Sequence, residues 1–252
     1  KNILYSALFY IYEQIILRLN FDLFITISNS TKQNLLKNFE IPRKKVCVIY
    51  CMMDLDFWNP RKYNGDKVKK ALGLNNIFSY LFYGRPGITK GVEYLVEAVP
   101  IIKKLIPDSK LILILSEDPR NRFNVIKKMI KKLKIEKNIV FLGSKKRVEL
   151  PNYILAANCV VVPSLTEGFG YCAIEASMLN KTVISTRVGA IPEINPDCIF
   201  IEPKSELAIA QSVYEVFKTK KTSKKVSDNL RKKLDKKEIL QSYLKAIDGV
   251  LN

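Results

Sequence analysis

Glu167 and Glu175 stand eight positions apart in the run Glu167-Gly168-Phe169-Gly170-Tyr171-Cys172-Ala173-Ile174-Glu175. The run follows the apolar stretch Cys159-Val160-Val161-Val162-Pro163, which reads as a buried strand. It leads into Ala173 to Leu179, which reads as a helix. Strand, glycine-containing turn and helix together aim helix N–H groups at an anion. Glu167 falls on the turn, and Glu175 is expected about two turns into the helix among apolar neighbours. A carboxylate there is costly unless a donor satisfies it, and a pair of sugar hydroxyls would do so.

A second run, Tyr83-Gly84-Arg85-Pro86-Gly87-Ile88-Thr89-Lys90-Gly91, also follows a strand-like segment and opens a helix. Arg85 offers a planar fork to phosphate oxygens, and Lys90 offers a point charge. Six of the ten glycines lie in this loop, in the Glu167 turn or at Gly189, which favours ligand loops over scattered turns. Taken alone, a Gly/Lys loop is equally an ordinary strand-to-helix turn. It is not a P-loop, since G-x-x-x-x-G-K-[ST] is absent. A third run, Thr186 to Glu193, follows the next apolar segment, and Glu193 by itself reads as helix N-terminal charge. Two cations and two carboxylates suit a ligand with a diphosphate and several hydroxyls, a description that a nucleotide-sugar meets.

The elements that must position these loops alternate along the chain. Strands are expected at Phe78 to Tyr83, Leu111 to Leu115, Asn138 to Leu142, Cys159 to Val162, Thr182 to Ser185 and Cys198 to Ile201. Helices are expected at Val92 to Leu105, Arg122 to Leu133, Arg147 to Ala157, Glu206 to Phe217 and Lys237 to Leu251. Leu111-Ile112-Leu113-Ile114-Leu115 has no polar alternation, as a parallel strand covered on both faces requires. The pattern predicts a doubly wound parallel sheet whose ligands sit beyond the carboxyl ends of the strands. Before Asn59 there is a helix over Lys1 to Leu19, a buried strand over Phe21 to Ser28, a helix capped by Ser30 and Thr31, and a short strand at Val46 to Tyr50. Those strands are too few for a separate core and look like the end of another α/β domain.

Composition excludes several classes. There is no histidine, so this chain holds no His-based acid–base or metal chemistry. Five cysteines with no C-x-x-C pair read as buried, reduced thiols. No run of about 18 apolar residues suggests a membrane span, and no signal-peptide cleavage site is seen. The starting Met is also missing, as in a fragment or a processed piece. The net charge of +18 admits an anionic membrane surface, while no aromatic-interleaved basic element points to nucleic acid. The lysines thicken at Lys127 to Lys137 and Lys218 to Lys237. In the first of these Ile126, Met129, Ile130 and Leu133 form an apolar stripe, so its lysines read as a solvated face.

G-R-x-x-x-x-K-G, then P-S-x-x-E-G-F-G-x-x-x-x-E-A, then V-G-A-I-P-E-I, in that order between about Ile77 and Pro203, resembles the group 1 family of retaining GT-B glycosyltransferases. The resemblance implies a Rossmann-like doubly wound parallel sheet of GT-B type with the N-terminal domain incomplete. Residues 1–59 would be a remnant of the acceptor-side domain, 60–236 the nucleotide-sugar-binding domain and 237–252 a crossover helix. Arg85 and Lys90 would hold the donor diphosphate and stabilise the leaving group. Glu167 would face the donor sugar, without serving as nucleophile, and Glu175 would take the ribose hydroxyls. Gly84, Gly168 and the N–H groups of Phe169 and Gly170 would line the donor, with Gly143 and Ser144 near the base. No metal or other cofactor is implied. The expected activity moves a hexose from a UDP- or GDP-sugar, GDP-mannose among them, to a glycan or lipid-linked acceptor with retention. Such a protein is expected in the cytoplasm or at the inner membrane face. Three rivals remain: a binding-only or partner-dependent nucleotide-sugar module, a nucleotide-sugar epimerase and a basic nucleic-acid protein.

Overall fold

The computed structural model describes residues 2–220 and 228–251. The chain starts with α1 (Asn2–Leu17), β1 (Phe24–Thr26), α2 (Asn29–Phe39) and β2 (Val46–Val48), and β1 pairs with β2 in parallel. The remainder builds one sheet from β3 (Phe78–Gly84), β4 (Ser109–Leu115), β5 (Ile139–Leu142), β6 (Cys159–Val162), β7 (Thr182–Thr186) and β8 (Ile199–Ile201). Its order is β5-β4-β3-β6-β7-β8, and every pairing is parallel. The chain winds outward from β3 in one direction and from β6 in the other. A doubly wound sheet opens its ligand crevice at such a reversal.

Helices cover both faces. They are α3 (Asp66–Ala71), α4 (Val92–Leu105), α5 (Arg120–Lys132), α6 (Leu150–Ala156), α7 (Tyr171–Met178), α8 (Ile191–Ile194), α9 (Glu206–Thr219) and α10 (Asp228–Leu234), while α11 (Lys236–Leu251) packs on α10. Successive strand residues point to opposite faces. Tyr80, Phe82, Leu111, Leu113 and Leu115 therefore join the core under α4, α5 and α9. Leu81, Tyr83, Ile112 and Ile114 join the core under α6, α7 and α8, together with Trp58 and Leu74. The lysines of α5 are exposed while Phe123, Ile126 and Ile130 are buried, which makes that basic run a solvated face. Leu133 leaves the apolar stripe, because it caps the helix and is 37% exposed. The second lysine run falls partly on residues 221–227, outside the described residues. All five cysteines are free and buried or half-buried.

Several expectations shift. The strand over Phe21 to Ser28 shrinks to three residues, and Ile25 is exposed, because β1 pairs only with β2 and has no second sheet neighbour. The helix expected from Arg147 begins at Leu150, where Pro151 sets the first turn. The helix after the Glu167 turn begins at Tyr171, since Gly170 takes a left-handed φ of 87° and turns the chain directly into it. Glu175 is thus the fifth residue of α7, one turn in and not two. Among the described residues no helix is long and apolar enough to cross a membrane.

Candidate donor-binding site

The loops after β3 and β6 leave adjacent strands at the reversal and touch each other. Leu165 N donates to the Thr89 carbonyl at 2.7 Å, and Thr166 N donates to the same oxygen at 3.4 Å. Gly91 makes this approach feasible: its φ is +63°, and a Cβ there would lie 2.0 Å from the Pro163 carbonyl oxygen. The result brings Lys90 to Glu167. Lys90 Nζ lies 2.6 Å from Glu167 Oε1, and Ser164 Oγ donates to that same oxygen at 2.8 Å. The Glu167 side chain is 11% exposed, so its charge is met by a cation and a hydroxyl largely out of water.

Glu175 has a different setting. Tyr83, at the end of β3, donates its hydroxyl to Glu175 Oε2 at 2.9 Å and lies 2.9 Å from the Cys172 carbonyl. Burial, followed by the Glu175 charge, raises the Tyr83 pKa well above its ordinary value and keeps the phenol a donor. Burial also pushes the Glu175 carboxyl up to about 7, against the lowering pull of the Tyr83 hydroxyl and the Arg147 guanidinium. Glu175 lines a cleft of about 750 Å³ with Arg147, Tyr171 and Met52 to Asp56. Arg147 stacks on Phe57, 5.0 Å from its ring centre, and lies 6.0 Å from that of Trp58. At the mouth of α7 the N–H groups of Phe169, Gly170, Tyr171 and Cys172 have no hydrogen-bond acceptor among the described residues. Such a cluster of free N–H groups at a helix start suits an anion.

The structure therefore brings Lys90 to Glu167 and sets Glu175 on α7 above Tyr83. Gly84 ends β3, and Gly168, Phe169 and Gly170 form the turn between the two carboxylates. Arg85 is exposed and has no hydrogen bond or ion pair among the described residues. Gly143 and Ser144 follow β5, are exposed, and lie off the described cleft lining, which Arg147 reaches instead. Ser164 is the serine of the P-S-x-x-E motif, three residues before its acceptor. No local pattern marks the roles of Tyr83, Arg147 or Tyr171, because each acquires its position only when distant segments meet.

Residues 66–233 match the family model described as glycosyl transferases group 1, well over half the chain. The chain belongs to the group 1 glycosyltransferase family. An uncharacterised glycosyltransferase of Methanocaldococcus jannaschii is 31% identical over 201 residues, covering 76% of this chain and 50% of that relative. Among solved structures, a glycosyltransferase from Rickettsia africae superposes with a TM-score of 0.78 at 25% identity, covering 90% of this chain and 63% of that one. Anabaena HepE in complex with UDP-glucose superposes with a TM-score of 0.80 at 18% identity, covering 94% and 66%. The fold of this group 1 glycosyltransferase chain is therefore of GT-B type. It spans about half the length of the curated relatives it matches.

Proposed function

We propose that this chain forms the donor-binding half of a retaining glycosyltransferase that takes a hexose from a UDP- or GDP-sugar to a glycan or lipid-linked acceptor. One observation carries the reading. At the β3–β6 reversal, a lysine, two carboxylates and a helix start with free N–H groups stand together beside an open cleft. UDP-glucose in the Anabaena structure agrees with a nucleotide-sugar ligand.

In this reading the donor diphosphate takes Lys90 from Glu167, and Arg85 moves in from solvent as a second cation. The two cations stabilise charge on the departing phosphate in the way a metal ion otherwise would. Phe169 and Gly170 N–H groups meet donor oxygens. Glu175, held by Tyr83, accepts from the ribose hydroxyls, and Glu167 faces the sugar as it passes through an oxocarbenium-like transition state. Gly143 and Ser144 border the base with Arg147. The domain division at about residues 59 and 236 belongs to the same reading, as do a cytoplasmic site of action and contact with anionic lipid through the basic surface. The last would be seen as pelleting with phosphatidylserine vesicles at low salt, and no pelleting would remove it.

Titration calorimetry with UDP, GDP and their glucose, GlcNAc and mannose conjugates tests the whole. Saturable binding of one nucleotide, lost in Glu175→Ala, supports the donor site, and no binding to any of them sinks it. A second reading is a nucleotide-sugar module that binds without independent transfer. Hydrolysis of the bound sugar-nucleotide by this chain alone would count against it.

A further inference from the structure

Glu193 is read from sequence as a charge at the start of its own helix, yet its carboxylate serves another one. Oε2 accepts from Asn29 N at 2.9 Å, from Asn29 Nδ2 at 3.0 Å and from the Tyr50 hydroxyl at 3.2 Å, while Oε1 accepts from Ser30 N at 2.8 Å. Asn29 and Ser30 are the first two residues of α2, and Tyr50 closely follows β2. The first turn of α2 carries no acidic residue. Its own cap, Ser28, takes only one of the turn's backbone N–H groups, that of Thr31, and shares a hydroxyl–hydroxyl bond with the same residue. The other orphan N–H groups of that turn thus take their anion from a residue more than 160 positions away.

The same junction reaches the candidate donor turn. Ala190, at the start of α8, donates its N–H to the Gly168 carbonyl at 3.2 Å. Gly189 packs so closely that a Cβ would lie 2.3 Å from the Glu167 carbonyl oxygen. From the other side Ile27, between β1 and α2, presses its Cδ1 on Gly168, 3.2 Å from where a Cβ would stand. Gly168 is therefore held between α8 and the N-terminal unit, and Glu193 joins those two bodies.

We propose that Glu193 is a positioning residue: by capping α2 from the sheet domain, it seats Ile27 on Gly168 and holds the Glu167–Gly170 turn in the shape that receives the donor phosphate. The turn's role toward phosphate depends on the donor site proposed for this chain. The clamp does not. A carboxylate bridging two backbone N–H groups at a helix start gives charge-assisted bonds with a set direction, so it fixes orientation as well as distance. A uniform apolar contact at Ile27 alone would allow sliding.

The test compares wild type, Glu193→Ala, Glu193→Gln and Ser28→Ala, each read by amide hydrogen exchange and by UDP titration. Ser28→Ala weakens α2 through its own cap and leaves the Glu193 bonds to Asn29, Ser30 and Tyr50 in place. Glu193→Ala is expected to speed exchange at Asn29 and Ser30 and also at Ala190 and Ala173, whose N–H groups donate to the Gly168 and Gly170 carbonyls. It should weaken UDP by about tenfold, the size of one or two lost charge-assisted bonds. Glu193→Gln keeps one acceptor oxygen and should recover part of both effects, while Ser28→Ala should leave UDP affinity within about twofold of wild type. Unchanged exchange at Ala190 and Ala173 in Glu193→Ala would overturn the proposal. So would an equal loss of UDP binding in Ser28→Ala, which would make the effect general destabilisation. If wild type binds no UDP, the donor reading falls, and exchange at Ala190 and Ala173 decides the clamp by itself.

Discussion

Glu175 sits where the folded chain resists its charge, and this gives a sign to its pH behaviour. Its carboxyl titrates at about 7 against an ordinary value of 4.5, with burial as the leading cause. The folded state therefore holds a proton that the unfolded state gives up between those two values. Stability from this group is intact below about 4.5, declines as pH rises through the window, and the full cost is present above 7. Glu175→Gln keeps an acceptor for the Tyr83 hydroxyl and removes the charge. The unliganded variant should be more stable than wild type at pH 8, by up to roughly 3 kcal/mol, and equal to it at pH 4. Thermal melts at the two pH values read this directly. UDP affinity should move the other way, weaker in Glu175→Gln at pH 8 and weaker in wild type as pH falls below about 7. At the neighbouring pair, Lys90→Ala should weaken UDP binding by about 1.5–3 kcal/mol, and Arg85→Ala by a similar amount, if both reach the diphosphate. Calorimetry beside an exposed control such as Lys131→Ala checks this. A loss no larger than the control's removes both from the site.

The two loops that carry the candidate chemistry are joined backbone to backbone, and at that level side chains matter less than their absence. Gly91→Ala adds a Cβ 2.0 Å from the Pro163 carbonyl oxygen at a φ of +63°. It should destabilise the chain by more than about 2 kcal/mol, visible as a lower urea midpoint. Gly143→Ala meets nothing within 4 Å and should be near neutral. What could be read along the chain follows from locality. α4 spans Val92–Leu105, as its periodicity and Pro107 indicate, and β4 contains the uniformly apolar Leu111 to Leu115. The pairing of the loops after β3 and β6 also follows, since alternating strands and helices imply a parallel sheet with loops at one end. The Tyr83 hydroxyl was hidden because its partner lies 92 residues away, on a helix placed only by the strand order. Arg147 was hidden because its rings come from the link at Phe57 and Trp58. Phe21 to Ser28 misled because apolar content signals burial only where a second layer exists to bury it.

At the scale of the molecule, apolar surface is unevenly spread. α1 presents Tyr5, Leu8, Phe9, Tyr10, Ile11, Tyr12 and Ile15 at more than half exposure, and α11 adds Leu240, Leu244 and Ile247. Exposed apolar surface of this extent drives association. The chain should self-associate with rising concentration, and deleting residues 1–19 should reduce this with little change in melting temperature, because no described side chain of α1 joins either core. Light scattering and thermal melts of the two forms provide the check. Trp58 offers a different use of the same architecture. It is the chain's sole tryptophan, fully buried, set edge-on to Phe57 and beneath the Arg147 guanidinium that borders the cleft. Its emission should be blue-shifted in the native state, and a nucleotide that pulls Arg147 off the ring should change its intensity. The chain thus carries a built-in optical reporter, one fluorophore wide, at the edge of the cleft where donor binding is to be measured.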